Sequence, residues 1–153
     1  MKKIILYFCF LLLFGCAGFE PLFSSKNMSY YIIDIENEDK NDVTKRISKR
    51  ISNYKKNTNN KKGYYLKISA NVNNIIASKN SKGQVSTYKM IVDVSVKVLT
   101  SESTLPINVL KLNKDFIYPN QKNKFELKKY KRVIQENLID KISQEITLRL
   151  HTL

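Results

Sequence analysis

Cys16 is the residue best placed for chemistry, because of what precedes it. Lys2 and Lys3 give a cationic start, Ile4 to Phe14 is an unbroken apolar run, and Gly15 is a small residue next to the thiol. Eleven residues make a helix of about 16 Å, against roughly 30 Å for a bilayer core. The run therefore has the length and charge of a signal-peptide core rather than of a span. A cysteine in that setting reads as a lipoprotein cleavage site. The thiol takes a diacylglyceryl group, a peptidase cuts before Cys16, and Cys16 becomes the acylated first residue. Two or more acyl chains, at about 0.8 kcal/mol per buried CH₂, hold where one chain would not. An ordinary secretory leader with an incidental Cys16 is the competing reading. Residues 1–15 are expected to be a cleaved leader, 16–27 a lipidated tether, and 28–153 a single domain.

Other reactive constellations are scarce. Cys9 leaves with the leader and Cys16 is acylated, so the exported domain offers no disulfide, thiolate metal site or cysteine nucleophile. The single histidine, His151, stands two residues from the end of the chain, where fraying is expected. No G-x-S-x-G turn or Gly-rich phosphate loop is present, and the whole chain has 4 Gly. Glu36, Glu38, Asp39 and Asp42 form one acidic cluster, which suits the start of a helix better than a metal loop. The expectation is a non-catalytic protein without metal, and without a cofactor beyond the acyl groups on Cys16.

Charge is the other signal. The net charge of +14 becomes +12 without the leader, which points towards anionic partners such as lipid headgroups or lipopolysaccharide phosphates. Nucleic acid fits poorly with an exported lipoprotein. A second explanation stands beside the first: 23 Lys against 4 Arg, with 16 Asn and 17 Ile, is what A/T-rich codons would supply. Lys79, Lys82 and Lys89 are the candidate anion-binding residues. The first two lie in a turn and the third on the wet face of a strand, to meet phosphates as adaptable, salt-sensitive point charges. A merely solvated turn is the alternative.

The elements that position these groups follow from periodicity. Tyr30–Glu36 reads as a strand with Tyr31, Ile33 and Ile35 on one face and Ile32, Asp34 and Glu36 on the other. Val43, Ile47, Ile51 and Tyr54 predict a helix over 42–54, with Lys45, Arg46, Lys49 and Arg50 as a basic outer strip. Residues 55–63 read as a mobile loop. Tyr64, Leu66, Ile68, Ala70 and Val72 then alternate with polar residues, and after a turn at 78–83 so do Tyr88, Met90, Val92, Val94, Val96 and Val98. That is a long antiparallel hairpin with one buried face. A fourth strand at 107–118 offers Leu110, Leu112, Phe116 and Tyr118 for burial. Leu127, Tyr130, Ile134, Leu138, Ile142, Ile146 and Leu150 predict a long C-terminal helix. The expected fold is α+β: a two-layer sandwich in the order βαβββα, with a four-stranded, mostly antiparallel sheet and both helices on one face.

Between Cys16 and the first strand, Phe19, Leu22 and Phe23 are large apolar groups in a segment that Pro21 keeps from being helical. They are expected to lie on the domain, on a partner or in the headgroup region. The stretch Cys16-Ala17-Gly18-Phe19-Glu20-Pro21-Leu22-Phe23 resembles the opening of the LptE family of lipopolysaccharide-assembly lipoproteins. That opening is an acylated Cys, Gly-Phe, a variable residue and Pro-Leu-Tyr; here Ala17 is inserted and Phe23 replaces Tyr. The element order is also similar to that family's. The resemblance implies an outer-membrane, periplasm-facing lipoprotein that plugs and helps assemble the β-barrel LptD and aids delivery of lipopolysaccharide to the outer leaflet. It carries over Cys16 as the acylated residue and Gly18, Phe19, Pro21, Leu22 and Phe23 as the tether signature. A lipid-binding auxiliary lipoprotein of an envelope transporter is the alternative, and a cell-wall-binding lipoprotein a further one.

Overall fold

The computed structural model describes residues 29–52 and 62–153. Its elements run β1 (Tyr30–Asn37), α1 (Asp42–Ile51), β2 (Lys62–Lys79), β3 (Val85–Leu99), β4 (Asn108–Pro119) and α2 (Lys124–His151). The four strands form one sheet in the order β1-β2-β3-β4. The α1 crossover makes β1 and β2 parallel, whereas the other two pairs are antiparallel, so the sheet is mixed. The α+β order βαβββα is the one the periodicities predict.

Both helices lie on the same face and close the core. Tyr64, Leu66 and Ile68 from β2, Met90 to Val98 at alternate positions of β3, and Leu110, Leu112 and Tyr118 from β4 are buried there. Val43, Ile47 and Ile51 of α1 and Ile134, Leu138, Ile139, Ile142, Ile146 and Leu150 of α2 face them. Each fully buried side chain of this size contributes about 1.5–3 kcal/mol. Each helix begins on an asparagine. Asn41 Oδ1 accepts from Val43 N at 3.1 Å, and Asn123 Oδ1 from Phe125 N at 2.9 Å. These amides serve donors that the first helical turn leaves unpaired.

Several expectations are corrected. Of the two faces predicted for β1, the one with Ile32 lies inside: Tyr30 and Ile32 are buried. An irregularity at Ile33 then shifts the register, so that Ile35 packs against the core. Phe116 occupies the inner face opposite buried Met90, yet remains 43% exposed. It lies on an edge strand, with a neighbouring strand on one side only. The helix predicted to reach Tyr54 ends at Ile51, with Ser52 as its C-cap, and Tyr54 falls outside the described residues.

The basic strip on α1 is not an outer one. Arg46 pairs with Asp42 and with Glu136 of α2, while Arg50 reaches Glu136 Oε2 and Asp140 Oδ1, each at 2.6 Å. Both arginines therefore join the two helices, and only Lys45 and Lys49 remain exposed. The acidic cluster is likewise dispersed. Glu36 pairs with Lys67, Glu38 with Lys97 and Asp42 with Arg46. Asp39 accepts from the amides of Asn41 and Ala70. Burial alone would raise the Asp39 pKa, but those two amides, with the Thr44 hydroxyl beside them, hold it below the ordinary carboxylate value. The helix cap falls to Asn41 rather than to a carboxylate.

Candidate functional site

The β2–β3 turn is built on Asn80 and Gly83. Asn80 N donates to Gln84 O at 2.8 Å, and Gly83 N donates to Asn80 O at 2.9 Å. Asn80 Oδ1 accepts from Lys82 N and Gln84 N, both at 3.0 Å. Gly83 has φ of 76°, a left-handed conformation that a side chain disfavours. This frame holds Lys79 and Lys82 exposed at the turn. Lys89 is not with them. It lies four residues beyond Val85, about 13 Å along the strand, and its ammonium pairs with Asp115 Oδ2 at 3.1 Å. The structure thus brings two of the three candidate lysines together and gives the third a partner within the sheet.

What joins Lys79 and Lys82 is the start of α2, which sequence periodicity did not single out. Asn120 N donates to Ser86 O at 2.8 Å and Asn120 Nδ2 to Val85 O at 3.0 Å, drawing the β4–α2 connection onto the turn. The segment from Lys122 to Arg132 then carries Lys122, Lys124, Lys128, Lys129, Lys131 and Arg132 against the single carboxylate Glu126. Beneath it lies an aromatic cluster. Tyr88 and Tyr118 stack with centroids 5.7 Å apart, and Tyr130 meets Tyr118 edge-on at 6.3 Å. Lys131 Nζ sits 5.1 Å from the Tyr88 ring centroid, a cation–π contact. Tyr118 OH donates to Asn74 Oδ1 at 3.0 Å. Its pKa is pushed up by burial and by neighbouring Tyr88, so the phenol stays a donor. Phe125 stands 73% exposed among the lysines.

Ion pairing divides the molecule. Arg46, Arg50, Lys67, Lys97, Lys114 and Arg149 are all neutralised by carboxylates. None of the cations from Lys122 to Arg132, nor Lys79 or Lys82, pairs with a carboxylate among the described residues. The signal was available in the sequence as the charge run at 122–132. Its meaning depended on the chain folding the start of α2 onto the hairpin turn.

The other end of the molecule receives the N-terminal segment. Ser29 Oγ lies 2.9 Å from His151 Nδ1, and Ser29 N donates to the same atom at 3.3 Å. His151 is therefore tied to the chain entry. Tyr30 OH donates to Thr147 O, and Lys62 Nζ to Leu153 O at 2.8 Å. From this end to the basic turn runs the whole of β2, eighteen residues and roughly 55 Å at about 3.3 Å each. Cys16, Gly18, Phe19, Pro21, Leu22 and Phe23 lie outside the described residues.

No known family profile matches the sequence, and no curated protein matches it. Solved structures do. An uncharacterized lipoprotein B from Nitrosomonas europaea superposes with a TM-score of 0.60 at 14% identity, over 88% of this chain and 90% of that one. The rare lipoprotein B from Shewanella oneidensis gives 0.59 at 14% identity, over 80% and 94%. A minor lipoprotein from Acinetobacter baumannii gives 0.58 at 15% identity, over 82% and 92%. The fold is that of the rare lipoprotein B structures. At these identities the likeness is one of architecture, spanning at least four-fifths of each chain.

Proposed function

We propose that the chain is an LptE-family lipoprotein of the outer membrane, anchored through acyl groups on Cys16 and facing the periplasm. In this reading it seats in the LptD barrel, helps that barrel assemble, and assists the delivery of lipopolysaccharide to the outer leaflet. Its role is non-catalytic and needs no cofactor. The observation that carries the reading is the polarity of the domain. Ser29, the first described residue, lies beside His151, while cations without carboxylate partners among the described residues gather at the opposite end around Lys79, Lys82 and the start of α2. A chain entry at one end and a phosphate-seeking surface at the other suit a protein that presents a glycolipid away from where its tether joins the domain. The leader, the Cys16–Phe23 signature and the rare lipoprotein B fold support the same reading.

Lysines attract phosphate as hydrated point charges, so affinity at the basic end should fall steeply with salt. Seating in a barrel buries more surface and should resist it. The test is affinity purification of the tagged, acylated chain from outer membranes in mild detergent, with a high-salt wash. A near-stoichiometric large β-barrel retained through the wash is the expected outcome. An inner-membrane permease in its place would overturn the proposal and favour the transporter auxiliary.

A further inference from the structure

The first turns of α2 carry two unlike faces. Leu127, Tyr130 and Ile134 turn towards the sheet: Ile134 is buried and the other two pack against the core. Phe125, Lys128, Lys129 and Arg132 fall at helical spacing on the opposite face, and all four are exposed. Phe125 is 73% exposed although it is a large apolar side chain. The helix cap fixes its backbone, since Phe125 N donates to Asn123 Oδ1 at 2.9 Å. An aromatic ring is thus held out in solvent in the middle of a cationic surface.

Little negative charge offsets that face. Glu126 is the single acid between Lys122 and Arg132, and it stands in the first turn, where the helix dipole favours it. Farther along α2, Glu136 and Asp140 are taken by Arg46 and Arg50. The cationic face is therefore confined to the helix start and the adjoining turn with Lys79 and Lys82. Lysines dominate it, and these act as hydrated point charges rather than as bidentate forks closing on one phosphate. A convex face of separated lysines around one exposed ring matches a partner that is anionic over an area and apolar just beneath. A leaflet of anionic lipid has both properties.

We propose that the start of α2 docks on an anionic lipid surface, with Phe125 entering the boundary between headgroups and acyl chains. Lys122, Lys124, Lys128, Lys129 and Arg132 then meet the headgroups. Helices that lie on membranes divide their side chains in this way, with the apolar groups about 5–10 Å into the boundary. Clusters of about 4–8 basic residues draw anionic lipid to them. Free phosphate would engage the lysines but has no use for Phe125. The contact is a second one, roughly 55 Å from the chain entry along β2. It uses the basic surface of the reading above but not the barrel, so a purification without a barrel would leave it untouched.

The chain contains no Trp, so Phe125→Trp places a single emitter at the contact. The acylated full chain is reconstituted in phosphatidylcholine vesicles with and without phosphatidylglycerol. Lipids brominated on their acyl chains should quench the Phe125→Trp emission about twofold more, or better, in the anionic vesicles, with a shift to the blue. High salt should remove the difference. A Ser95→Trp chain, with its indole on the outer face between two paired strands, should show none. Lys128, Lys129 and Arg132 changed together to Gln in the Phe125→Trp chain should abolish it, with circular dichroism reporting an intact fold. Equal quenching in the two vesicle types, or a difference that survives the triple change, would overturn the proposal. An indole left unquenched in the anionic vesicles would overturn it too, and leave the face to an acidic protein. Inorganic phosphate added to the neutral vesicles should not move the emission. A shift matching that of phosphatidylglycerol would assign the lysines to free phosphate instead and overturn the lipid reading.

Discussion

Replacing Glu136 by Gln should loosen the joint between the two helices by an amount that depends on pH in a defined direction. Glu136 receives Arg46 on one oxygen and Arg50 on the other, with Arg50 at 2.6 Å. The three side chains are about one-third exposed, at 33%, 32% and 30%. Exposed pairs contribute about 0.2–1 kcal/mol each, so two such contacts are worth about 1 kcal/mol after screening. The far larger loss of a severed buried pair does not apply, because Arg46 keeps Asp42 and Arg50 keeps Asp140. The hydrogen bond from Arg50 is the main cause holding the Glu136 pKa below its usual value of 4.5; burial opposes it, and the charges of Arg46 and Arg50 reinforce it. A depressed carboxylate stabilises the fold fully above its unfolded pKa and loses that contribution as pH falls through its folded pKa. Urea unfolding followed by circular dichroism should therefore show Glu136→Gln less stable by about 1 kcal/mol at pH 7. The two proteins should converge once the pH is well below the carboxylate range. An equal deficit at both pH values, or none at pH 7 with an unchanged slope, would refute the account.

Other perturbations test other links. Ile142 is fully buried under α2, so Ile142→Ala should cost about 2–5 kcal/mol in the same unfolding assay. Glu145 behaves like Glu136: its hydrogen bond from Lys114 is the main cause lowering its pKa. Lys114→Gln should therefore weaken the fold at neutral pH and cease to matter in acid. Gly63 admits no side chain without displacement, since an added Cβ would lie 2.7 Å from Tyr31 Oη and 2.8 Å from Ile33 Cδ1. Gly63→Ala should lower the melting temperature by several degrees, about 1 kcal/mol or more, and disturb the β1–β2 pairing seen by amide exchange. Changing Lys79, Lys82, Lys122 and Lys124 together to Gln should weaken binding to vesicles of anionic phospholipid at least tenfold at low salt. It should also flatten the salt dependence, while leaving urea stability within about 0.5 kcal/mol.

The hairpin and the C-terminal helix were legible in the sequence because each is encoded within one stretch of chain. Strict period-two alternation and a stripe at spacings of three and four need no knowledge of the partner surface. Both asparagine caps belong to the same local class. Misreadings arose where burial depended on a neighbour. The strict two-face reading of β1 failed at Ile35, which joins Ile32 against the core, because the irregularity at Ile33 is set by pairing with β2 and alternation carries no mark of it. Phe116 read as core because its position on an edge strand is a property of sheet order. Arg46 and Arg50 read as an outer strip because Glu136, which they share, lies about ninety residues away in the chain.

The candidate site divides in the same way. The sequence alone determined the charge, the lysines of the turn and the cationic run from Lys122 to Arg132, all of which are composition read in order. Tertiary structure alone decided that the turn and the run form one surface, joined by Asn120 to Val85 and Ser86. It also decided that Lys89 is spent on Asp115, and that the chain enters at the far end beside His151. Period and propensity are local quantities, fixed by near neighbours in the chain. Which charges meet a partner and which are left for a ligand depends on contacts between distant segments, and those exist only once the sheet has closed against its two helices.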